Sequence, residues 1–146
     1  MGNGVTHIGV YAFGECTALT SITIPNSVQE IGACAFFGCT SLEEITIPFV
    51  GESRNSMSGT TQSLFGFIFY QTTSYMPMDG MYQAVQYYTT SKTISATIPL
   101  TLTRVTVTDT VTIGFGAFSG CTSLVSVILP EGITSLDGTF YNCTSL

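Results

Sequence analysis

Apolar residues return along this chain in a fixed order. The stretch Leu19-x-x-Ile22-x-Ile24-Pro25 recurs as Leu42-x-x-Ile45-x-Ile47-Pro48, as Leu102-x-x-Val105-x-Val107 and as Leu124-x-x-Val127-x-Leu129-Pro130. Residues two apart on an extended chain face the same side. Each copy therefore predicts a short strand with its two alternating apolar residues inward, entered by Leu and, in three of the four copies, ended by Pro, which cannot donate to a ladder. Between the strands runs a second pattern, Ile8-Gly9…Ala12-Phe13-x-x-Cys16-Thr17. It reappears 23 residues later as Ile31-Gly32…Ala35-Phe36-x-x-Cys39-Thr40, and again as Ile113-Gly114…Ala117-Phe118-x-x-Cys121-Thr122. A fourth copy starts at Ile133 and Leu136, passes through Phe140 and Cys143-Thr144, and runs one residue short of register. Val28 and Ile31 are expected to point inward, Gly32 to allow a bend, and Ala-Phe to form a tight helical turn on the far wall. One such coil cannot bury its own ring of apolar groups, but stacked coils can, at roughly 1.5–3 kcal/mol for each fully buried aliphatic residue.

The period breaks once. Val105 follows Ile45 by 60 residues where about 23 are expected, yet Leu102 keeps its place before Val105, so the strand resumes in register. The chain thus divides into repeats over 1–48, an expanded repeat over 49–101 and repeats over 102–146, all in one domain. The expanded segment holds the apolar run Leu64–Tyr70, in which Phe65 is placed to replace the repeated Phe. After the turn signal Pro77-Met78-Asp79-Gly80 come Tyr82, Tyr87 and Tyr88. A protruding β-hairpin or long loop is expected. Its tyrosines either cover the core or contact a partner.

The recurring A-F-x-x-C-T-x-L and I-x-I-P segments resemble the BspA-like, or Treponema pallidum-type, leucine-rich repeat, over about 5–48 and 102–146. The resemblance implies a leucine-rich-repeat solenoid of the α/β horseshoe class, mostly β with short helical turns. In it a right-handed coil places parallel strands on one face. It also implies a bacterial protein at the cell surface or secreted, adhering to host extracellular-matrix proteins or to other bacterial surface proteins.

Composition narrows the function further. Only 8% of residues are charged against 45% hydrophobic, and nine acids against three bases leave a formal charge of −6. Arg54, Lys92 and Arg104 are too few and too scattered to replace counterions on nucleic acid. No apolar run approaches the length of a membrane span. Met1-Gly2-Asn3-Gly4 carries neither the basic region nor the apolar stretch of a secretion signal. Neither end shows a polar capping repeat, so the chain is expected to belong to a longer array or to self-associate through its bare ends.

Candidate chemistry is sparse. Cys16, Cys39, Cys121 and Cys143 share one repeat position, where small inward side chains, or a disulfide between neighbouring coils, are expected. Without a C-x-x-C pair no metal site or cofactor is expected. Asn142-Cys143-Thr144 reads as a glycosylation sequon but is simply the turn of the repeat. Cys34 falls outside the cysteine pattern, opposite Tyr11 and Gly116. His7, the sole histidine, is expected to face solvent one coil away, and a thiol hydrolase built on the two lacks a third partner. Glu43 and Glu44 point to opposite sides of a strand. No catalytic residue is therefore assigned. The outward strand positions form the candidate binding face: Ser21 and Thr23, Glu44 and Thr46, Arg104 and Thr106, Ser126 and Ile128. Tyr82, Tyr87 and Tyr88 form a second candidate. Protein binding is the expected role, with a passive spacer as the alternative.

Overall fold

A computed structural model describes residues 2–72 and 78–146; Pro77, from the turn signal, lies outside the described residues. The four predicted strands are present: β2 (Ser21–Thr23), β4 (Glu44–Ile47), β8 (Arg104–Val107) and β9 (Ser126–Ile128). They form one parallel sheet in the order β2-β4-β8-β9. Its register aligns Ile22, Ile45, Val105 and Val127, so the apolar residue of each coil lies against its equivalent in the next. A second parallel pair, β1 (His7–Ile8) and β3 (Glu30–Ile31), repeats the alignment on another wall. This is a repeat fold, with one continuous interior.

That interior is fullest in the middle coils. Leu42, Ile45, Ile47, Leu102, Val105 and Val107 are all buried, as are Val28 and Ile31. Each Ala-Phe segment makes consecutive tight turns, such as Ala12 N–H to Gly9 O and Cys16 N–H to Phe13 O. Two positions in every such turn are left-handed. Tyr11, Cys34, Gly116 and Gly138 have φ of 56, 58, 63 and 60°; four residues later Glu15, Gly38, Gly120 and Asn142 have 60, 70, 71 and 60°. Gly32 serves a different end from the expected bend. A Cβ there would lie 2.5 Å from Val10 N, so glycine is what lets neighbouring coils approach.

Aromatic rings run through the stack. Phe13 stacks on Phe36 at 5.2 Å between centroids, and Phe118 on Phe140 at 5.6 Å. The expanded segment bridges the gap with two rings. Phe69 meets Phe36 at 6.2 Å, Phe65 meets Phe118 at 4.9 Å, and the two meet each other at 5.2 Å. Phe65 thus takes the repeated position, as its spacing predicts, but only toward the following coil. Phe36 N–H donates to Ile68 O and Phe65 N–H to Ala117 O, so both junctions keep the backbone contact of the regular coils. Phe65 and Ile68 bound a 3-10 turn, Phe65–Ile68, that Phe69 follows, and another lies before it at Thr61–Ser63.

The rest of the segment is the expected hairpin, β6 (Met81–Tyr87) with β7 (Thr93–Pro99), extended by the short β5 (Gln71–Thr72). It does not protrude. Ala84, Gln86 and Ala96 are buried against the stack. Gln86 Oε1 accepts from Gly66 N–H at 2.8 Å, and its Nε2 donates to Ala117 O at 3.1 Å. Tyr87 N–H donates to Ser119 Oγ at 2.7 Å. The physical reason is that Gln86 shares the inward side of β6 with Ala84. Held there, it supplies the hydrogen bond that the buried Gly66 N–H would otherwise lack and gives Ala117 O a second donor beside Phe65 N–H.

Candidate functional site

Strand register decides what the outer face presents. Ser21, Glu44, Arg104 and Ser126 are paired in one row, and Thr23, Thr46, Thr106 and Ile128 in the next. The structure therefore brings all eight predicted face residues together in two adjoining rows. Glu44 and Arg104 form an ion pair through Oε1 and Nε. Both are about half exposed, and exposed pairs contribute only about 0–1 kcal/mol to stability, so the pair shapes the surface more than it holds the fold. Around it Glu44, Thr46, Arg104, Thr106, Ser126 and Ile128 line a shallow depression of about 200 Å³. Ile128 is 59% exposed, an aliphatic patch at the end of a hydroxyl-rich face.

The three tyrosines of the expanded segment separate. Tyr82 is a packing residue. It leans on the core, burial raises its phenol pKa, and its hydroxyl accepts from Ser123 Oγ at 3.2 Å. Tyr87 meets Tyr141 edge-on at 5.3 Å. Tyr88 lies in the hairpin turn, its N–H donating to Lys92 O at 3.1 Å. Tyr82 and Tyr87 thus belong to a strand and not to a loose loop, because the hairpin is pinned to the coils.

The cysteine position is inward where a coil lies over it. Cys39 and Cys121 are fully buried, and burial pushes the Cys39 thiol up to about 11. Cys39 Sγ donates to Phe13 O at 3.1 Å and Cys143 Sγ to Phe118 O at 3.0 Å. Cys16, on the first coil, is exposed, which departs from the expected inward placement. Cys34 is partly exposed; burial raises its pKa, an effect that Tyr11 opposes. His7 Nε2 instead faces Glu30 Oε2 at 3.7 Å, following the β1–β3 register. The Cys34–His7 pairing is not made. Among the described residues no three metal-ligating side chains come together, and no helix is long and apolar enough to cross a membrane.

One site residue goes beyond the sequence reading. Arg54 Nη1 lies 2.5 Å from Asp109 Oδ2, its Nη2 donates to Asn26 O at 2.6 Å, and its guanidinium sits 5.7 Å from the centre of the Phe49 ring. It ties the expanded segment to the loops that follow β2 and β8. Only its rarity as one of three bases marked it in the sequence.

A family model described as the BspA type Leucine rich repeat region matches this chain in six copies, over residues 1–76 and 86–146. The chain belongs to the BspA-type leucine-rich repeat family. No curated protein and no solved structure matches it. The BspA-type match reaches past the four copies evident from the spacing into 49–76 and 86–101, the span that holds Phe65 and Phe69. Repeats of this kind are protein-interaction modules.

Proposed function

We propose that this chain is an adhesive, non-enzymatic module of a bacterial cell-surface or secreted protein. In this reading the coils continue as a right-handed solenoid of the α/β horseshoe class. The sheet face contacts a host extracellular-matrix protein or another bacterial surface protein. The observation that carries the reading is the register placing Ser21, Glu44, Arg104 and Ser126 beside Thr23, Thr46, Thr106 and Ile128. These side chains offer donors, acceptors, one charge of each sign and one exposed aliphatic group on a rigid sheet. A partner therefore meets a preorganised surface and loses little entropy in ordering it.

Binding of the chain to immobilised purified extracellular-matrix proteins, followed by surface plasmon resonance, tests this. The double variant Glu44→Ala/Arg104→Ala removes both charges without stranding either, and Thr106→Arg adds bulk at the centre of the face. Each is expected to weaken binding by about tenfold or more while leaving the thermal transition in place. A passive spacer, whose hydroxyl rows serve only strand propensity and solubility, predicts no binding by the unmodified chain. Binding that survives all three substitutions would remove the sheet face from the reading.

A further inference from the structure

We propose that the aromatic cleft between the hairpin tip and the last coils seats a short proline-rich segment of a partner protein in the polyproline II conformation. This rests on the protein-interaction reading above and names the chemistry of a partner at a second surface. Tyr87 and Thr90 of the hairpin line the cleft together with Phe115, Gly138 and Tyr141 of the coils, enclosing about 260 Å³. Tyr141 is 62% exposed, and its ring stands nearly perpendicular to that of Tyr87. A Cβ at Gly138 would come within 3.1 Å of the Phe115 ring, so glycine leaves that ring its room. The walls come from two parts of the chain, yet Gln86 and Ser119 fix one against the other. The cleft is built before a ligand arrives.

Its chemistry selects among the ways proteins hold peptides. None of the five lining residues is charged, in a chain whose net charge is −6, so the match is to an uncharged segment. An acidic or phosphorylated motif needs an arginine cluster, and the lining has none. Strand addition needs an open sheet edge, but here the β6 edge lies on the coil: a Cβ at Gly116 would meet Tyr87 O at 1.9 Å. A helix arrives with its backbone groups already paired and can meet the Tyr and Thr hydroxyls only through side chains. A polyproline II segment has no internal hydrogen bonds, so its carbonyls can accept from those hydroxyls. Proline rings lie on aromatic faces and bring no N–H in need of an acceptor. A sugar would call for the planar amide, carboxylate or guanidinium groups that the lining lacks.

Titrating the 15N-labelled chain with a synthetic octapeptide of mostly proline tests this by NMR, with a Gly/Ser octapeptide and glucose as controls. Shifts are expected at the amides of Tyr87, Thr90, Phe115, Gly138 and Tyr141 with the proline peptide alone. Tyr141→Ala should weaken the affinity by about tenfold, and Tyr141→Phe, which keeps the ring, by much less. Glu44→Ala/Arg104→Ala should leave it unchanged. Shifts that gather at Thr46, Arg104 and Thr106 instead would overturn the cleft assignment while leaving the sheet-face reading standing. Equal shifts with glucose would overturn it in favour of a sugar, and no shift at millimolar peptide would overturn it outright.

Discussion

The regular coils and the expanded segment reach the same interior by different physics. In the regular coils every buried side chain has an equivalent one coil away, and Ile22, Ile45, Val105 and Val127 need only the parallel register to meet. The expanded segment keeps the coil-to-coil equivalence only at its two junctions, Phe36–Ile68 and Phe65–Ala117. It holds its place with two phenylalanines, each answering a different neighbour, and with polar pins at Gln86, Ser119 and Arg54. Repetition spreads stability evenly along a stack, whereas an insertion concentrates it in a few contacts. Substitutions in the two regions should therefore fail differently.

Phe118→Ala should cost most, about 3–5 kcal/mol, because it empties a fully buried site that touches both Phe65 and Phe140. Phe118 joins the two regions. Chemical denaturation should show one transition moved to lower denaturant for hairpin and coils alike. Separate transitions for β6–β7 and for the parallel sheet would break the picture of a single interior.

Gln86→Leu should cost less, about 1–3 kcal/mol, and should act locally. It leaves the Gly66 N–H without its partner in a dry site, while the Ala117 carbonyl keeps only the bond from Phe65 N–H. Amide hydrogen exchange is the decisive reading. Protection should fall at Gly66 and along β6, while the amides of Ile45 and Val105 exchange as before. Equal loss everywhere would mean that the hairpin is not a separate opening unit.

The same contrast explains what could be read from the residues alone. The parallel strands, their register and the eight-residue face were legible because a period states each side chain's direction several times over. Phe65 was legible as a substitute, but Phe69 was not, since nothing in the spacing says that one coil needs two rings. The hairpin was legible as an element, its docking was not. A lone glutamine on the inward side of a strand is a weak signal until its partners Gly66 and Ala117 are near it. The cleft of Tyr87, Phe115 and Tyr141 joins residues up to 54 positions apart and follows no period at all.

The left-handed positions offer the finest test, because backbone conformation is held constant while the surroundings change. Glu15 has φ 60° where Gly38 and Gly120 stand in later coils. Its side chain is exposed, so Glu15→Gly gives up little packing and relieves a conformation that costs a residue with a Cβ roughly 1–2 kcal/mol. Glycine also gains freedom in the unfolded chain, and the net expectation is a rise in stability of at most about 1 kcal/mol. The reverse change under the hairpin should not mirror it. At Gly120 a Cβ would lie 2.5 Å from Val85 O, so Gly120→Ala adds a collision with β6 to the same backbone strain. Urea midpoints of the two variants separate the contributions: if Gly120→Ala loses no more than Glu15→Gly gains, the hairpin does not press on that coil. A larger loss measures how closely the inserted strand is seated on the repeat beneath it.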